Sequence, residues 1–214
     1  MKPLYIVGAG GAAKEIFLLV KEINAVNKMF EFKGFIDLNS NENTLKIGSS
    51  FFPILEETTF LETTKENTAI AFGIGDPLYL KKIVSKYTLK NCFNFPNLIH
   101  PNVSLDDSVH LGKGNIIASF CVLTVDISLD NFNYINRGVH IGHDTKIGSY
   151  NVLNPCSVIS GGVNLGDENL VGTNSAILQY LNIGSKNQIG AGAVLTKAVK
   201  DNSCFIGIPA KQKK

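Results

Sequence analysis

The sequence predicts two domains of different fold class: a small Rossmann-like α/β domain over residues 1–95 and an all-β domain of short repeated strands over residues 96–214, which ends in a C-terminal tail. A glycine-rich turn between an apolar strand and an apolar-periodic helix indicates the first domain. An aliphatic residue at every sixth position indicates the second. We place the boundary near the prolines Pro96 and Pro101.

The composition excludes several classes of function. The chain carries 20 basic and 18 acidic residues and a single arginine, Arg137, so we expect no basic surface for nucleic acid. Its apolar stretches are far shorter than the roughly 20 residues of a membrane span, and residues 1–8 lack the apolar core of a signal peptide. The 4 cysteines show no CxxC spacing, which is typical of free thiols in a reducing compartment. We therefore expect a cytoplasmic protein without a membrane span, a nucleic-acid partner or a metal.

The first predicted strand, residues 4–7, runs into a glycine turn. Gly8, Gly10 and Gly11 follow it, and an apolar-periodic helix begins at about Ala13, which satisfies the pattern GxGxxA. Glycines in this pattern let the backbone approach a diphosphate at the N-terminus of the helix. We interpret the three glycines as binding a nucleotide, while the alternative is that they only close the turn between strand and helix.

The second predicted strand, over residues 30–36, ends at Asp37, where an acidic side chain can reach a ribose or a base. A third strand over residues 68–72 and a helix over residues 77–87 complete the domain. About 95 residues hold one mononucleotide-binding unit, whereas a dinucleotide fold needs two such halves. The domain therefore favours a nucleotide that carries a sugar over a nicotinamide cofactor.

The second half of the chain has a strict six-residue period. Stepping by six from Ile99 to Leu195 meets Leu, Ile or Val 17 times in succession. Chance would produce this run on the order of once in 10⁸ trials. Glycine often follows the aliphatic residue, as short strands joined by tight corners require. Three hexapeptides make one coil of 18 residues, and periodicity of this kind resembles the left-handed parallel β-helix.

Asparagines recur at the predicted length of one coil. They stand 18 residues apart at Asn115, Asn133, Asn151, Asn169 and Asn187. Amides stacked at the strand spacing of about 4.8 Å can hydrogen-bond along such a column. We interpret these asparagines as a structural ladder.

The whole chain resembles a known enzyme family. A glycine-turn domain, uninterrupted hexapeptides and the C-terminal run GIPAK at residues 207–211 are similar to the sialic acid O-acetyltransferase (NeuD) family, which includes nucleotide-linked aminosugar N-acetyltransferases of the PglD type. The resemblance implies acetyl-CoA as co-substrate and a homotrimer whose active site lies between neighbouring prisms.

The family's acid/base residue is a histidine followed by an acidic residue in an HxxxIG motif. His143 and Asp144 match it here. Gly161 is 18 residues further on, so its backbone is expected about 4.8 Å from that of His143. It matches the family's oxyanion-hole amide. The resemblance implies direct acetyl transfer, with His143 as general base, Asp144 orienting its ring and the Gly161 amide facing the oxyanion.

The resemblance also implies binding residues. Thr173 and Ala191, which are likewise one predicted coil apart, match two positions whose amides hold the pantetheine arm of the co-substrate. Lys211, in the C-terminal motif, is assigned to the same ligand. Asn136 matches an asparagine near the acceptor sugar.

Two positions depart from the family pattern. Many members have a second histidine, which contacts the thioester, where this chain has Val152. Either backbone amides or Asn154 must then hold the thioester carbonyl. Many also have a histidine in the glycine turn, where this chain has Ala12.

We therefore predict an acetyl-CoA-dependent N-acetyltransferase that acts on the amino group of a UDP- or dTDP-linked amino sugar for a surface glycan. The alternatives are O-acetylation of sialic acid or another free sugar, and a catalytically silent trimeric scaffold. His140 is the local competitor of His143, but no acidic residue follows it. A zinc site on the prism would need three converging histidines, and only these two are near one another.

Overall fold

The computed structural model of the protein describes residues 1–37, 42–64 and 67–213. Contacts divide the chain into two compact units. The first comprises residues 1–75 and 79–98, and the second comprises residues 76–78 and 99–214. Among the described helices, none is both long and apolar enough to cross a membrane.

The first unit is an α/β domain built on one sheet. In chain order its elements are β1 (Lys2–Val7), α1 (Gly11–Val26), β2 (Phe30–Asp37), β3 (Thr44–Ile47), β4 (Ser50–Glu56), α2 (Glu57–Thr63), β5 (Thr68–Phe72), α3 (Pro77–Thr88) and β6 (Phe93–Asn94). The strand order is β3-β4-β2-β1-β5-β6. Every neighbouring pair is parallel except β3 and β4, which are antiparallel.

Helix α1 packs on this sheet through one apolar face. Its residues Ile16, Leu19, Val20 and Ile23 stand at positions i, i+3, i+4 and i+7 and are all buried, which is the pattern of an amphipathic helix. The fold begins with strand, glycine turn and helix, as predicted. The hairpin β3–β4 and the short helix α2 were not predicted, because residues 44–63 mix apolar and polar side chains without a clean period.

The second unit has three faces of short stacked strands, which pair in parallel except that β24 is antiparallel to β23. The first face contains β7 (Leu98–Ile99), β9 (Ile116–Ile117), β12 (Tyr134–Ile135), β15 (Val152–Leu153), β18 (Leu170–Val171), β21 (Gln188–Ile189), β23 (Cys204–Ile206) and β24 (Lys211–Gln212). The second face contains β10 (Val122–Leu123), β13 (His140–Ile141), β16 (Val158–Ile159), β19 (Ala176–Ile177) and β22 (Val194–Leu195). The third face contains β8 (His110–Leu111), β11 (Ser128–Leu129), β14 (Lys146–Ile147), β17 (Asn164–Leu165) and β20 (Asn182–Ile183).

Each coil of the second unit visits the three faces in turn, and strands of successive coils stack 18 residues apart until the last coil, where Gln188 pairs with Cys204. His140 pairs with Val158 on the second face, for example. The three faces form the triangular prism of a left-handed parallel β-helix, which confirms the predicted fold class. We name the corners by the faces that they join: in one coil, corner 1–2 holds residues 136–139, corner 2–3 holds residues 142–145 and corner 3–1 holds residues 148–151.

The six-residue period fills the interior of the prism. Fourteen of the 17 periodic aliphatic residues, from Ile117 to Leu195, belong to one buried cluster. The remaining three, Ile99, Leu105 and Leu111, pack against it at the end that begins the prism. Each coil therefore contributes apolar side chains to one continuous core.

The predicted asparagine ladder runs along corner 3–1. All five asparagines are buried. The side-chain oxygen of Asn133 accepts the backbone N–H of Asn151 at 2.8 Å and its side-chain amide at 3.1 Å, and Asn151 receives the same two bonds from Asn169 at 2.9 and 3.0 Å. The oxygens of Asn115, Asn133 and Asn151 therefore each link one coil to the next through two donors, one of which belongs to the backbone. The Asn169 oxygen accepts the backbone N–H of Asn187.

Candidate active site

A histidine and a glycine are stacked in successive coils at corner 2–3. His143 follows β13, and Gly161 follows β16 one coil later. A Cβ atom at Gly161 would lie only 2.6 Å from His143 Nε2 and 2.7 Å from its Cε1, so any larger residue would collide with the imidazole. Gly142 lies beneath this pair, because a Cβ there would meet the Gly161 nitrogen at 2.5 Å. Two glycines thus let the imidazole edge lie directly over the peptide of the next coil.

The acidic neighbour fixes the orientation of the imidazole. His143 Nδ1 lies 2.7 Å from Asp144 Oδ2. Asp144 has a φ of +57°, a left-handed conformation that aspartate tolerates better than most residues. Bonding at Nδ1 leaves Nε2 as the ring nitrogen that faces Gly161. The two side chains are 52% and 63% exposed, so a substrate can reach them from solvent.

The backbone amide of Gly161 has no acceptor within the described residues. At corner 3–1 the amides at the matching position are capped by side chains of the next coil. The Ser149 N–H donates to Asp167 Oδ1 at 2.8 Å, and the Asp167 N–H donates to Ser185 Oγ at 2.9 Å. Corner 2–3 offers Gly161 no such cap among the residues described, so this N–H can bind an incoming ligand oxygen.

Corner 1–2 presents two further amides in a column. Thr173 and Ala191 are exposed and stacked one coil apart, and Gly192 donates its N–H to the Thr173 carbonyl at 2.8 Å. In the described part of the chain, neither the Thr173 nor the Ala191 N–H has an acceptor. Asn154 lies at the same corner one coil earlier and is partly exposed. Parallel strands repeat at about 4.8 Å, so the two amides form a short line of donors along the prism axis.

Asn136 also lies at corner 1–2, one coil before Asn154. It is buried, and its side-chain oxygen accepts the Arg137 N–H at 2.8 Å. Corner 1–2 and corner 2–3 bound opposite edges of the second face. Within one chain, Asn136 and the amide column are therefore separated from His143 by the width of that face. Lys211 is exposed on β24, where it pairs with Ile206 of β23.

In the first unit, the glycines of the turn have two different roles. Gly8 has a φ of +104°, and a Cβ there would lie 2.8 Å from the Gly73 carbonyl oxygen. A Cβ at Gly73 would in turn lie 2.5 Å from Ala13 Cα. Both are needed for close packing of the strand ends and helix α1. Gly10 and Gly11 face open space instead, which leaves the N-terminus of α1 accessible.

Asp37 reaches this turn from the end of β2. Its Oδ2 accepts the N–H of Ala9 at 3.1 Å, so the predicted acidic residue and the predicted glycine turn do meet. A small cavity of about 50 Å³ lies beside them at the carboxyl ends of the strands, and Ile36, Ile74 and Tyr79 contribute to its walls. In open parallel sheets, ligands bind at this edge.

Glu57 was missed by sequence reasoning. It lines the same cavity, is 4% exposed and pairs with Lys86 Nζ at 2.7 Å. Tyr87 packs beside it, and burial together with the Glu57 carboxylate raises the pKa of the Tyr87 hydroxyl above its usual range. Glu57 directly follows another glutamate in a segment of irregular pattern, so no sequence signal distinguished it.

Two residues near His143 were also missed. Tyr180 is 70% exposed, and its ring lies directly over Gly162, where an added Cβ would collide with it. Thr145 is fully buried behind the His143–Gly161 pair, and its hydroxyl lies 3.2 Å from the Ser160 carbonyl oxygen. The same spacing of one coil relates Gly162 to Tyr180, so the position of Tyr180 over Gly162 could have been predicted from the sequence.

The cysteines and the other nearby histidine do not form a comparable site. All four thiols are free. Cys121 is buried and lies 3.0 Å from the Asn136 carbonyl oxygen, and burial raises the pKa of its thiol to about 11. His140 lies on the outer surface of the second face. Within the described ranges, no group of three or more His, Cys, Asp or Glu side chains is arranged to hold a metal ion.

The first unit matches a known domain family. Residues 3–87 match the family described as the PglD N-terminal domain. No curated protein matches the sequence of the chain.

Solved structures resemble the chain along its whole length. Perosamine N-acetyltransferase from Caulobacter crescentus, solved with CoA and GDP-perosamine, has a TM-score of 0.84 at 24% identity, covering 100% of this chain and 98% of that one. The acetyltransferase domain of PglB from Neisseria gonorrhoeae has a TM-score of 0.86 at 24% identity, covering 100% of both chains. WeeI from Acinetobacter baumannii has a TM-score of 0.87 at 25% identity over the same extent. The similarity to sugar N-acetyltransferases of the PglD type that the sequence predicted is confirmed.

Proposed function

We propose that this chain, whose residues 3–87 form a PglD N-terminal domain in front of a left-handed parallel β-helix, is an acetyl-CoA-dependent N-acetyltransferase that acts on a nucleotide-linked amino sugar. The observation that carries the proposal is the stacking of His143 Nε2 over Gly161, with Nδ1 held by Asp144. This arrangement supports a role for His143 as general base, beside an amide donor that no described residue accepts. The product would serve the synthesis of a surface glycan.

His143 provides the proton-transfer step. Its Nε2 takes a proton from the acceptor amine as the amine attacks the thioester carbonyl. Asp144 holds Nδ1 and stabilises the imidazolium that forms. The Gly161 N–H faces the oxygen on which negative charge develops. The imidazolium then returns this proton to the sulfur as the C–S bond breaks, so coenzyme A leaves as a thiol. The transfer is direct, and no thiol of the protein is acylated.

The amide column at corner 1–2 fits the pantetheine arm of acetyl-CoA. Amide oxygens along that arm are hydrogen-bond acceptors, and Thr173 and Ala191 present N–H donors in line that no described residue accepts. The Asn154 side chain, at the same corner, supplies a further polar group for the thioester end, in place of the histidine that Val152 replaces. Lys211 offers a positive charge for the phosphates of the ligand.

The first unit would bind the nucleotide. Gly10 and Gly11 leave the N-terminus of α1 open for a diphosphate, and Asp37 is placed for the ribose or base. We expect UDP or dTDP as the nucleotide, whereas the perosamine enzyme was solved with a guanine nucleotide. The test of function therefore includes all three.

We propose that the active protein is a homotrimer. A group of exposed large apolar side chains lies on the second face of the prism and its two bounding corners, at Phe120, Val122, Val125, Val158, Leu178 and Tyr180. An apolar surface of this kind is typical of an interface. A second copy that packs there would bring corner 1–2 of one subunit to corner 2–3 of the next. Asn136 and the amide column would then complete the site around His143, and a closed ring of such contacts has cyclic symmetry.

We also propose a cytoplasmic location. The four free thiols suit a reducing compartment. Acetyl-CoA is a cytoplasmic metabolite, and so are nucleotide-activated sugars.

The test is an acetyl-transfer assay. The full chain is incubated with acetyl-CoA and a UDP-, dTDP- or GDP-linked amino sugar, while free thiol and product mass are measured. We expect the mass of at least one nucleotide sugar to increase by one acetyl group, carried on its amine, and one free thiol to be released for each acetyl group transferred. Acetylation of free sialic acid alone would support O-acetyltransferase activity instead, and no transfer to any acceptor would support a silent scaffold. Light scattering tests the trimer, for which we expect about 70 kDa.

A further inference from the structure

The residue two positions after His143 differs in chemistry from its counterparts in the other coils. Thr145 occupies an interior column whose other members are all aliphatic: Val109, Ile127, Val163, Leu181 and Val199. Thr145 is fully buried. All the other coils therefore have a branched apolar side chain at this position, and packing alone does not require a hydroxyl.

The hydroxyl of Thr145 has a specific partner in the next coil. Its Oγ1 lies 3.2 Å from the Ser160 carbonyl oxygen and 3.4 Å from the His143 carbonyl oxygen. The His143 carbonyl already accepts the Gly162 N–H at 2.7 Å. The Ser160 carbonyl receives no other donor from the described chain. The single hydroxyl proton of Thr145 is therefore assigned to the hydrogen bond with the Ser160 carbonyl oxygen.

The carbonyl of Ser160 belongs to the same peptide group as the Gly161 N–H. In a trans peptide the C=O and the N–H point to opposite sides of the chain. A bond that holds the Ser160 oxygen toward the interior therefore directs the Gly161 N–H outward, toward the space beside His143. A hydrogen bond to the carbonyl also polarises the peptide and strengthens its N–H as a donor.

We propose that Thr145 is a positioning residue for acetyl transfer, whose hydroxyl holds the Ser160–Gly161 peptide so that its N–H faces the developing oxyanion. The inference rests on the proposed function, since it assigns a task within that reaction. Thr145 does not touch the substrate, and it acts through the peptide that does.

The kinetic test compares Thr145→Val with Thr145→Ser. We expect the valine variant to lower kcat roughly three- to tenfold, less than the ~10²–10³ that follows removal of an oxyanion donor itself. Its KM for acetyl-CoA and its pH profile stay unchanged, because the imidazole and the amide column are untouched. Its melting temperature is equal or higher, as the aliphatic column predicts. The serine variant keeps the hydroxyl and restores kcat. A valine variant with the kcat of the wild type, or a serine variant as slow as valine, would overturn the inference.

A matched control removes a comparable hydroxyl from corner 1–2. Ser175 is fully buried, and its Oγ donates to the Gly172 carbonyl at 2.7 Å. That peptide carries the Thr173 N–H, so Ser175→Ala should raise KM for acetyl-CoA and leave kcat near that of the wild type. A loss of kcat in both variants would show that any buried hydroxyl of the prism matters equally, and would contradict the role of Thr145.

A second measurement does not depend on activity. In ¹⁵N-labelled protein, the amide signal of Gly161 should shift in Thr145→Val and return to the wild-type position in Thr145→Ser. An unchanged Gly161 signal in the valine variant overturns the inference whatever the kinetics show. If the wild-type protein transfers acetyl to no acceptor, the proposed function fails, while this signal still decides whether Thr145 holds the peptide.

Discussion

Gly161→Ala tests the stacked geometry of the candidate site most directly. The added Cβ would lie 2.6 Å from His143 Nε2, whereas ordinary contact begins at 3.4 Å. The imidazole must therefore retreat by about 0.8 Å, and it can do so into solvent because it is half exposed. A displacement of about 1 Å in a reacting group can lower a rate ~10²-fold. We expect kcat to fall by about that factor while the prism stays folded.

Three measurements check this expectation. Steady-state kinetics with acetyl-CoA and an amino-sugar nucleotide should show the loss in kcat, and calorimetry should show unchanged affinity for acetyl-CoA. Melting temperatures of Gly161→Ala, His143→Ala and the double variant form a cycle. If the collision is with the imidazole, the alanine at Gly161 lowers the melting temperature less when His143 is already absent. Full activity in Gly161→Ala would refute the reasoning, because a Cβ atom 2.6 Å from His143 Nε2 must displace the imidazole.

The proposed general base, the asparagine column and the start of α2 each provide a further prediction. His143→Ala should lower kcat by about 10²- to 10⁴-fold, as expected for a lost general base, while His140→Ala stays near the wild-type rate; the reverse result would contradict the assignment of the base. Asn151→Leu should lower the free energy of unfolding by roughly 2–3 kcal/mol and Asn187→Leu by about 1 kcal/mol in chemical denaturation. Asn151 bonds to both neighbouring asparagines, whereas among the described residues the Asn187 side chain bonds only to the Ser203 N–H. Equal losses would argue against a column. Glu56 accepts the backbone N–H groups of Thr59 and Thr58 at the start of α2, which lowers its pKa from 4.5 to about 2. The folded state therefore favours the ionised form of Glu56. The free energy of unfolding that Glu56→Gln removes should be constant above pH 5 and should vanish as the pH falls from about 4.5 toward 2. A difference in free energy of unfolding between the two proteins that persists at pH 2 would show that the charge is not its source.

The prism could be predicted from the sequence almost completely, because its geometry is periodic. One aliphatic side chain per strand fills the interior, so a missing or shifted residue would break the run between Ile99 and Leu195. The last coil was harder to predict, since Gln188 pairs with Cys204 and this coil is therefore shorter than the ones before it. In the first unit, the mixed pattern of residues 44–63 concealed two strands and a helix.

The candidate site was predicted where it follows the period and missed where it depends on side-chain direction. The step of one coil located Gly161 beside His143, and the acidic neighbour of His143 is adjacent in sequence. Thr145 could have been noticed as the polar member of an aliphatic column, but its bond to Ser160 depends on the turn of one peptide group. Glu57 reached its cavity through a helix that the sequence pattern did not predict.

The uniform register of the prism limits how its length can vary. Each coil before the last repeats the same three corners at an interval of 18 residues, and the asparagine column links successive coils. Adding or deleting a whole coil would keep every side chain on its own face and corner. Within those regular coils, a change of one or two residues would shift every later side chain out of its position and place aliphatic side chains outside the prism. The last coil can be shorter because only β23 and β24 follow it. Viable insertions and deletions within these repeats should therefore come in units of one coil. A coil inserted in the sequence between His143 and Thr173 would move the Thr173 and Ala191 amides along the axis by one strand spacing, about 4.8 Å, relative to His143.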